Sequence, residues 1–156
     1  MAYWLMKSEP DAFSIDDLER VGTEPWDGIR NYQVRNMIRD QMKPGDRAFF
    51  YHSNTKVPGI VGIMDIVSQP RADHTAFDPD EKYYDPKSDP DKPRWLLVDV
   101  RHVRDLKRIV TLAEMKRQAG SFGDFQLLAK GNRLSIMPVS EEQWNRVLEL
   151  EKRSPE

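Results

Sequence analysis

The chain has 156 residues, 38% hydrophobic and 32% charged, with Lys+Arg 24 against Asp+Glu 26 and a formal net charge of -2. That length suits one domain and the apolar share is too high for disorder, while the near-balance of charge excludes a general polyanion binder, so any nucleic-acid contact must be local. Cysteine is absent, which removes disulfides, thiolate metal sites and a cysteine nucleophile. No apolar run approaches the roughly 18 residues of a membrane helix, and the first residues turn polar too soon for a secretory signal. A monomeric, cytoplasmic protein without membrane contact is the expectation.

In chain order, apolar alternation predicts an opening strand over residues 3–7, stopped by Ser8-Glu9-Pro10 because proline cannot donate to a ladder. Ser14 followed by Asp17 has the spacing of a capping box and predicts a short helix ending near Gly22. Pro25-Trp26-Asp27-Gly28 reads as a turn, after which Asn31 caps a helix over 32–42 that carries Val34, Met37, Ile38 and Met42 on one face. Strands over 47–52 and 60–67 form a hairpin. Residues 68–94, rich in Asp, Pro and Lys, form a long loop, which in a compact domain points to function or to ordering by a partner. A strand over 95–103, a helix starting at Thr111, a strand over 134–139 and a terminal helix opened by Ser140 complete the chain. Strands adjacent in sequence with helices gathered at the ends predict an α+β fold whose mixed or antiparallel sheet curls into a small barrel.

Phosphate-cradling and nucleophile-elbow motifs are missing, and His52, His74 and His102 lack the short spacing that brings imidazoles to one metal. The acidic loop, with Asp78, Asp80, Asp85, Asp89 and Asp91, lacks the glycine and terminal glutamate of a calcium loop, so its aspartates read as turn formers. No cofactor, metal or catalytic residue is assigned. Two polar trios, Lys7-Ser8-Glu9 and His52-Ser53-Asn54, stand where a strand leaves the sheet, a usual place for groups to converge on a pocket; ordinary turn and capping roles explain them equally well. Trp95 and Trp144 lie on patterns that explain them as core, whereas Trp26 sits in a turn and is either a lid over the core or a stacking plate.

Several blocks together resemble the EVE-domain family: YWLMKSEP at 3–10, WDGIRNYQ at 26–33, FFYHSN at 49–54, PRW at 93–95 with VDV at 98–100, and RLSI at 133–136. The likeness covers nearly the whole of 1–156 as one EVE domain, with Val34 standing where the pattern has alanine. It implies a PUA-like fold, a small curled β-barrel of mixed strands with flanking helices, related to YTH and ASCH domains. It also implies a non-enzymatic module that binds nucleic acid, DNA with modified bases or RNA, and takes up a flipped base of the 5-methylcytosine type.

Carried over residue by residue, the resemblance makes Trp26 the stacking plate and Lys7, Ser8, Glu9, Asn31, His52, Ser53, Asn54 and Arg133 the surrounding binding groups. Among these, Glu9 would accept from a cytosine amino group, Asn31, Ser53 and Asn54 would complete the base edge, and Lys7 and Arg133 would meet phosphate. Two other functions compete. One is an RNA-binding module using Arg101, Arg104, Lys107, Arg108, Lys116 and Arg117 as a basic stripe; the other is an enzyme or sensor for a nucleotide-like small molecule, with His52 as acid or base.

Overall fold

Alternation along the first strand sends its side chains into two separate cores. In the computed structural model, which describes residues 1–154, Trp4 and Met6 of β1 (Tyr3–Ser8) enter one hydrophobic cluster and Leu5 enters another. The same period of two divides Ala48 and Phe50 from Phe49 and Tyr51 on β3 (Arg47–His52). A sheet apolar on both faces needs cover on both. Helices α1 (Ile15–Val21) and α2 (Tyr32–Asp40) contribute Ile15, Leu18, Val34, Met37 and Ile38 to the first cluster. Helices α3 (Leu112–Arg117) and α4 (Glu141–Glu151) contribute Met115, Trp144, Val147 and Leu150 to the second, where the Trp144 ring stacks on Phe49 at 3.8 Å and on Tyr3 at 4.4 Å.

The main sheet has six strands in the order β2-β7-β4-β3-β1-β8, with β2 at Thr23–Pro25, β4 at Gly59–Ile66, β7 at Asp99–Thr111 and β8 at Ile136–Val139. β1 and β3 run parallel and the remaining neighbours antiparallel, so the sheet is mixed. Register shifts between β3 and β4 and between β4 and β7 curl it into a PUA-like half-barrel, as such irregularities raise local twist. Gly62 belongs to this bend: a Cβ there would stand 2.6 Å from Ile15 Cδ1 and 3.0 Å from the Arg104 carbonyl. Pro138 is accommodated because β8 is an edge strand, paired only with β1.

The helix starts follow their sequence signals. Ser14 and Ser140 form reciprocal capping boxes with Asp17 and Gln143, and Asn31 and Thr111 accept from the amides of Val34 and Glu114. The expected strand over 95–103 is different: Leu96–Leu97 (β6) pairs with Arg71–Ala72 (β5) in a small second sheet, and β7 runs on to Thr111. The break falls at Val98, whose carbonyl accepts from the Trp26 amide at 2.9 Å as the chain changes partners. β7 can continue through charged residues because its arginines are neutralised by Glu151 and Glu114.

The loop over 68–94 is more ordered than its composition implies. It contains β5 and a short 3₁₀ turn at His74–Phe77, and Asp78, Asp85 and Asp89 each accept from the amide two residues on, the Asx-turn role read from the sequence.

Candidate functional site

Parallel pairing of β1 with β3 aligns Lys7 with Tyr51 and Ser8 with His52, so the segments that follow leave the sheet at the same end. The Ser53 amide donates to the Ser8 carbonyl at 3.0 Å, extending that alignment one step past the ladder. A cleft of about 770 Å³ opens beside them, a size that suits a small organic ligand. Its wall comes from Lys7, Ser8 and Glu9, from Ser53, from Glu24 to Asp27, from Lys82 and Tyr83 of the long loop, and from Arg133 and Ser135 ahead of β8.

Trp26 is both a core residue and a cleft residue. Only 8% exposed, it packs edge-on against Phe50 with ring centroids 5.4 Å apart and belongs to the first cluster, yet it also lines the cleft. Of the two readings left open by the sequence, the structure gives the core one, and it also brings the side chain to the cleft wall.

Six of the nine sequence-derived binding residues line the cleft: Lys7, Ser8, Glu9, Trp26, Ser53 and Arg133. Burial pushes the Lys7 ammonium below its ordinary value, and its Nζ lies 5.8 Å from the centre of the Tyr51 ring. Ser8 Oγ donates to the Phe13 carbonyl at 2.6 Å. The other three stand outside the lining. Asn31 spends its side-chain oxygen on the Val34 amide as the cap of α2. His52 Nε2 accepts from the Ile15 amide at 3.1 Å at the start of α1, and burial lowers the imidazole's pKa against the opposing pull of Asp16. Asn54, in the left-handed region with φ 50, acts one step removed: its amide donates to Glu9 Oε1 at 2.6 Å and holds that carboxylate at the rim.

Asp27, Glu24, Lys82 and Tyr83 were not among the sequence-derived site residues. Partial desolvation raises the Asp27 carboxyl, and the negative charges of Asp73 and Glu81 add to the effect; desolvation and Asp27 likewise raise Glu24. The sequence signal for Asp27, Asp-Gly in a turn, speaks only of backbone.

Tyr83 reaches the cleft because the long loop is braced against the Gly28–Arg30 segment. Asp73, with a side chain 0% exposed, accepts from the Gly28 amide at 2.8 Å, from Arg30 at 3.0 Å, and from the Thr75 amide and hydroxyl at 2.9 and 2.6 Å. Burial alone would raise this carboxyl, but the hydrogen bonds from Thr75, Gly28 and Arg30 hold it below its ordinary value. Arg30 then donates through Nε to the Tyr83 carbonyl at 3.0 Å and lies 5.8 Å from the Tyr83 ring centre and 5.6 Å from that of Trp95.

Three arginines of the basic stripe are paired with carboxylates. Arg104 pairs with the buried Glu151, Arg108 with the buried Glu114, and Arg101 reaches Asp65 at 3.7 Å. His102 is held by Asp105 at 2.9 Å and approached by Glu19 at 3.7 Å, apart from the other two histidines.

Residues 2–150 match the model of the EVE domain. The chain belongs to the EVE-domain family. It is 44% identical over 171 residues to human thymocyte nuclear protein 1, covering 99% of this chain and 76% of that one. A crystal structure of the human THYN1 protein in complex with 5-methylcytosine-containing DNA matches with a TM-score of 0.92 at 44% identity, over 99% of this EVE domain and 100% of that chain. A Pseudomonas putida protein of known structure shares 49% identity and a TM-score of 0.92, over 96% of this chain and 99% of that one. More distantly, the YTH domain of Zygosaccharomyces rouxii MRB1, solved with N6-methyladenosine RNA, has a TM-score of 0.51 at 14% identity, over 99% of this chain and 87% of that one, and shares the fold. No helix among the described residues is long and apolar enough to cross a membrane.

Proposed function

We propose that this EVE domain is a non-enzymatic reader of DNA that takes a flipped, modified base of the 5-methylcytosine type into the cleft beside Trp26. The observation that carries the reading is the position of Trp26, seated in the core by Phe50 and the Val98 carbonyl and presenting its remaining surface to a cleft of about 770 Å³. Support comes from the human relative, whose solved complex contains 5-methylcytosine DNA. Stacking on one aromatic contributes about 1–3 kcal/mol, against an extrusion cost of roughly a few kcal/mol. The remainder must come from polar contacts with the base and from Lys7, Lys82 and Arg133 near the backbone. These local cations make a net charge of -2 compatible with DNA binding. An added methyl in an apolar recess contributes about 1–3 kcal/mol, so preference over unmodified cytosine should be modest. His52, committed to the Ile15 amide, supports no acid–base role.

Fluorescence titration with duplexes carrying 5-methylcytosine, 5-hydroxymethylcytosine or cytosine tests the reading. Trp26→Phe keeps an aromatic in the core while reducing the stacking surface, and should weaken binding to the modified duplex about tenfold and remove most of the signal. Equal, weak binding to all three duplexes, unaffected by Trp26→Phe, would overturn it.

A further inference from the structure

We propose that Glu19, His102 and Asp105 form a zinc-binding site where the end of α1 meets β7, separate from the cleft. None of the three lines the cleft, so the site is independent of the base-reading function.

The site arises from an irregularity in β7. Along an unbroken strand, residues three apart point to opposite faces. Here Ile63 pairs with Arg104 and its neighbour Met64 with His102, so one step on β4 spans two on β7 and Val103 is the extra residue. A bulge of this kind re-aims the side chains beside it. His102 and Asp105 come to share one side of the strand, with Nε2 and Oδ1 2.9 Å apart. The His102 amide donates to the Gly22 carbonyl at 3.0 Å, which holds the end of α1 against the same stretch. Glu19, in the last turn of that helix, then places Oε2 3.7 Å from Nε2.

The three ligand atoms all lie within 4.8 Å of one another. A tetrahedral zinc ion with bonds of about 2.0–2.2 Å holds its ligand atoms roughly 3.4 Å apart, a value between the two separations measured from Nε2. Small side-chain rotations therefore close the site. The imidazole, 16% exposed, is the most enclosed of the three ligands, whereas Asp105 and Glu19, at 46% and 58%, have room to adjust. The arginines adjacent in sequence are engaged elsewhere: Arg20 with Asp17, Arg101 with Asp65 and Arg104 with Glu151. Neither Glu19 nor Asp105 pairs with a lysine or arginine among the described residues, so two carboxylates converge on a single imidazole.

The ligand types select the metal. One imidazole nitrogen with two carboxylate oxygens suits zinc, whereas calcium and magnesium take oxygen shells and copper(I) takes sulfur ligands. Zinc displaces the proton between His102 and Asp105; His102 ligates through Nε2 and carries its proton on Nδ1. Water completes the fourth position. The bound ion joins α1 to β7 and so favours the folded state. A search for paired imidazoles misses such a site, because it has one imidazole and its carboxylates come from a helix and the far side of a bulge.

Protein without a polyhistidine tag, stripped with chelator, is titrated with zinc chloride by calorimetry and melted with and without the ion. One equivalent should bind and the melting temperature should rise by a few degrees at saturation, while magnesium should produce neither effect. Cobalt(II) in the same site should show the visible absorption of a tetrahedral ion. His102→Ala should abolish both the stoichiometric binding and the cobalt band. Glu19→Gln and Asp105→Asn alter exposed side chains and should each weaken binding about tenfold or more. His74→Ala removes an exposed imidazole elsewhere and should change nothing. Circular dichroism in chelator confirms that each variant is folded. Failure to bind one equivalent of zinc, or binding that survives both His102→Ala and Glu19→Gln, overturns the site and leaves the base-reading function standing.

Discussion

Gly28 and Tyr83 approach so closely that a Cβ on Gly28 would stand 2.6 Å from the Tyr83 ring. Gly28 also has φ +82, a backbone region that side chains disfavour. The contact fixes where the long loop meets the turn after Trp26, and so fixes one wall of the cleft. Gly28→Ala should lower stability by about 1–2 kcal/mol from strain and displaced packing, and should weaken ligand binding several-fold by moving Tyr83. Denaturant melts together with DNA titration check both. Wild-type affinity in a folded variant would show that the loop wall is dispensable.

Asp73 sustains the same junction from beneath. Replacing it with alanine leaves the Arg30 guanidinium and the amides of Gly28 and Thr75 without their acceptor, and should cost about 3 kcal/mol. The pH dependence has a definite sign. The folded-state pKa lies below the ordinary 3.8, so the stabilisation is present above that value and is lost as pH falls through the folded pKa. The stability difference between intact protein and Asp73→Asn should therefore be full at neutral pH and shrink below about pH 4. A difference constant from pH 7 to pH 2.5 would contradict the ionic assignment.

The basic stripe on β7 should behave as structure. Arg104→Ala removes the partner of a buried glutamate and should cost about 2–4 kcal/mol of stability, with less than a threefold effect on nucleic-acid affinity in conditions where the variant is folded. The same holds for Arg108→Ala, whose partner Glu114 is also buried. A steep loss of RNA affinity with a reduced salt slope would restore the stripe as a binding surface.

Much of the architecture was legible in the sequence because it is written in local chemistry. Ser14, Asn31 and Ser140 announce their helices through caps, and alternation in β1 and β3 announces strands. The extent of β7 was not legible, since charged positions such as Arg104 and Arg108 read as a strand's end until their distant partners Glu151 and Glu114 are in place. The polar trios stood out because strand exits collect ligand groups, and pairing of β1 with β3 brings the two exits together. Yet sequence position could not say that His52 turns to the Ile15 amide while Ser53 turns to the cleft. Asp27 was hidden for a related reason: a carboxylate in a tight turn looks like a turn former, and only its partial desolvation at the cleft wall, with Asp73 and Glu81 nearby, sets it apart.

Trp26 is packed into the first core cluster and reaches the cleft with the small part of its ring that stays exposed. A base seated there would continue the protein's own packing outward by one ring, making occupancy and folding a single linked equilibrium. Ligand at a hundred times its dissociation constant adds about 2.7 kcal/mol to stability whatever the contacts involved, so the melting temperature itself becomes a titration signal. The corollary is a constraint on sequence change: substitutions that loosen the packing of Phe50 against Trp26 would blunt recognition without touching the ligand, and affinity in this fold would be inherited partly from its core.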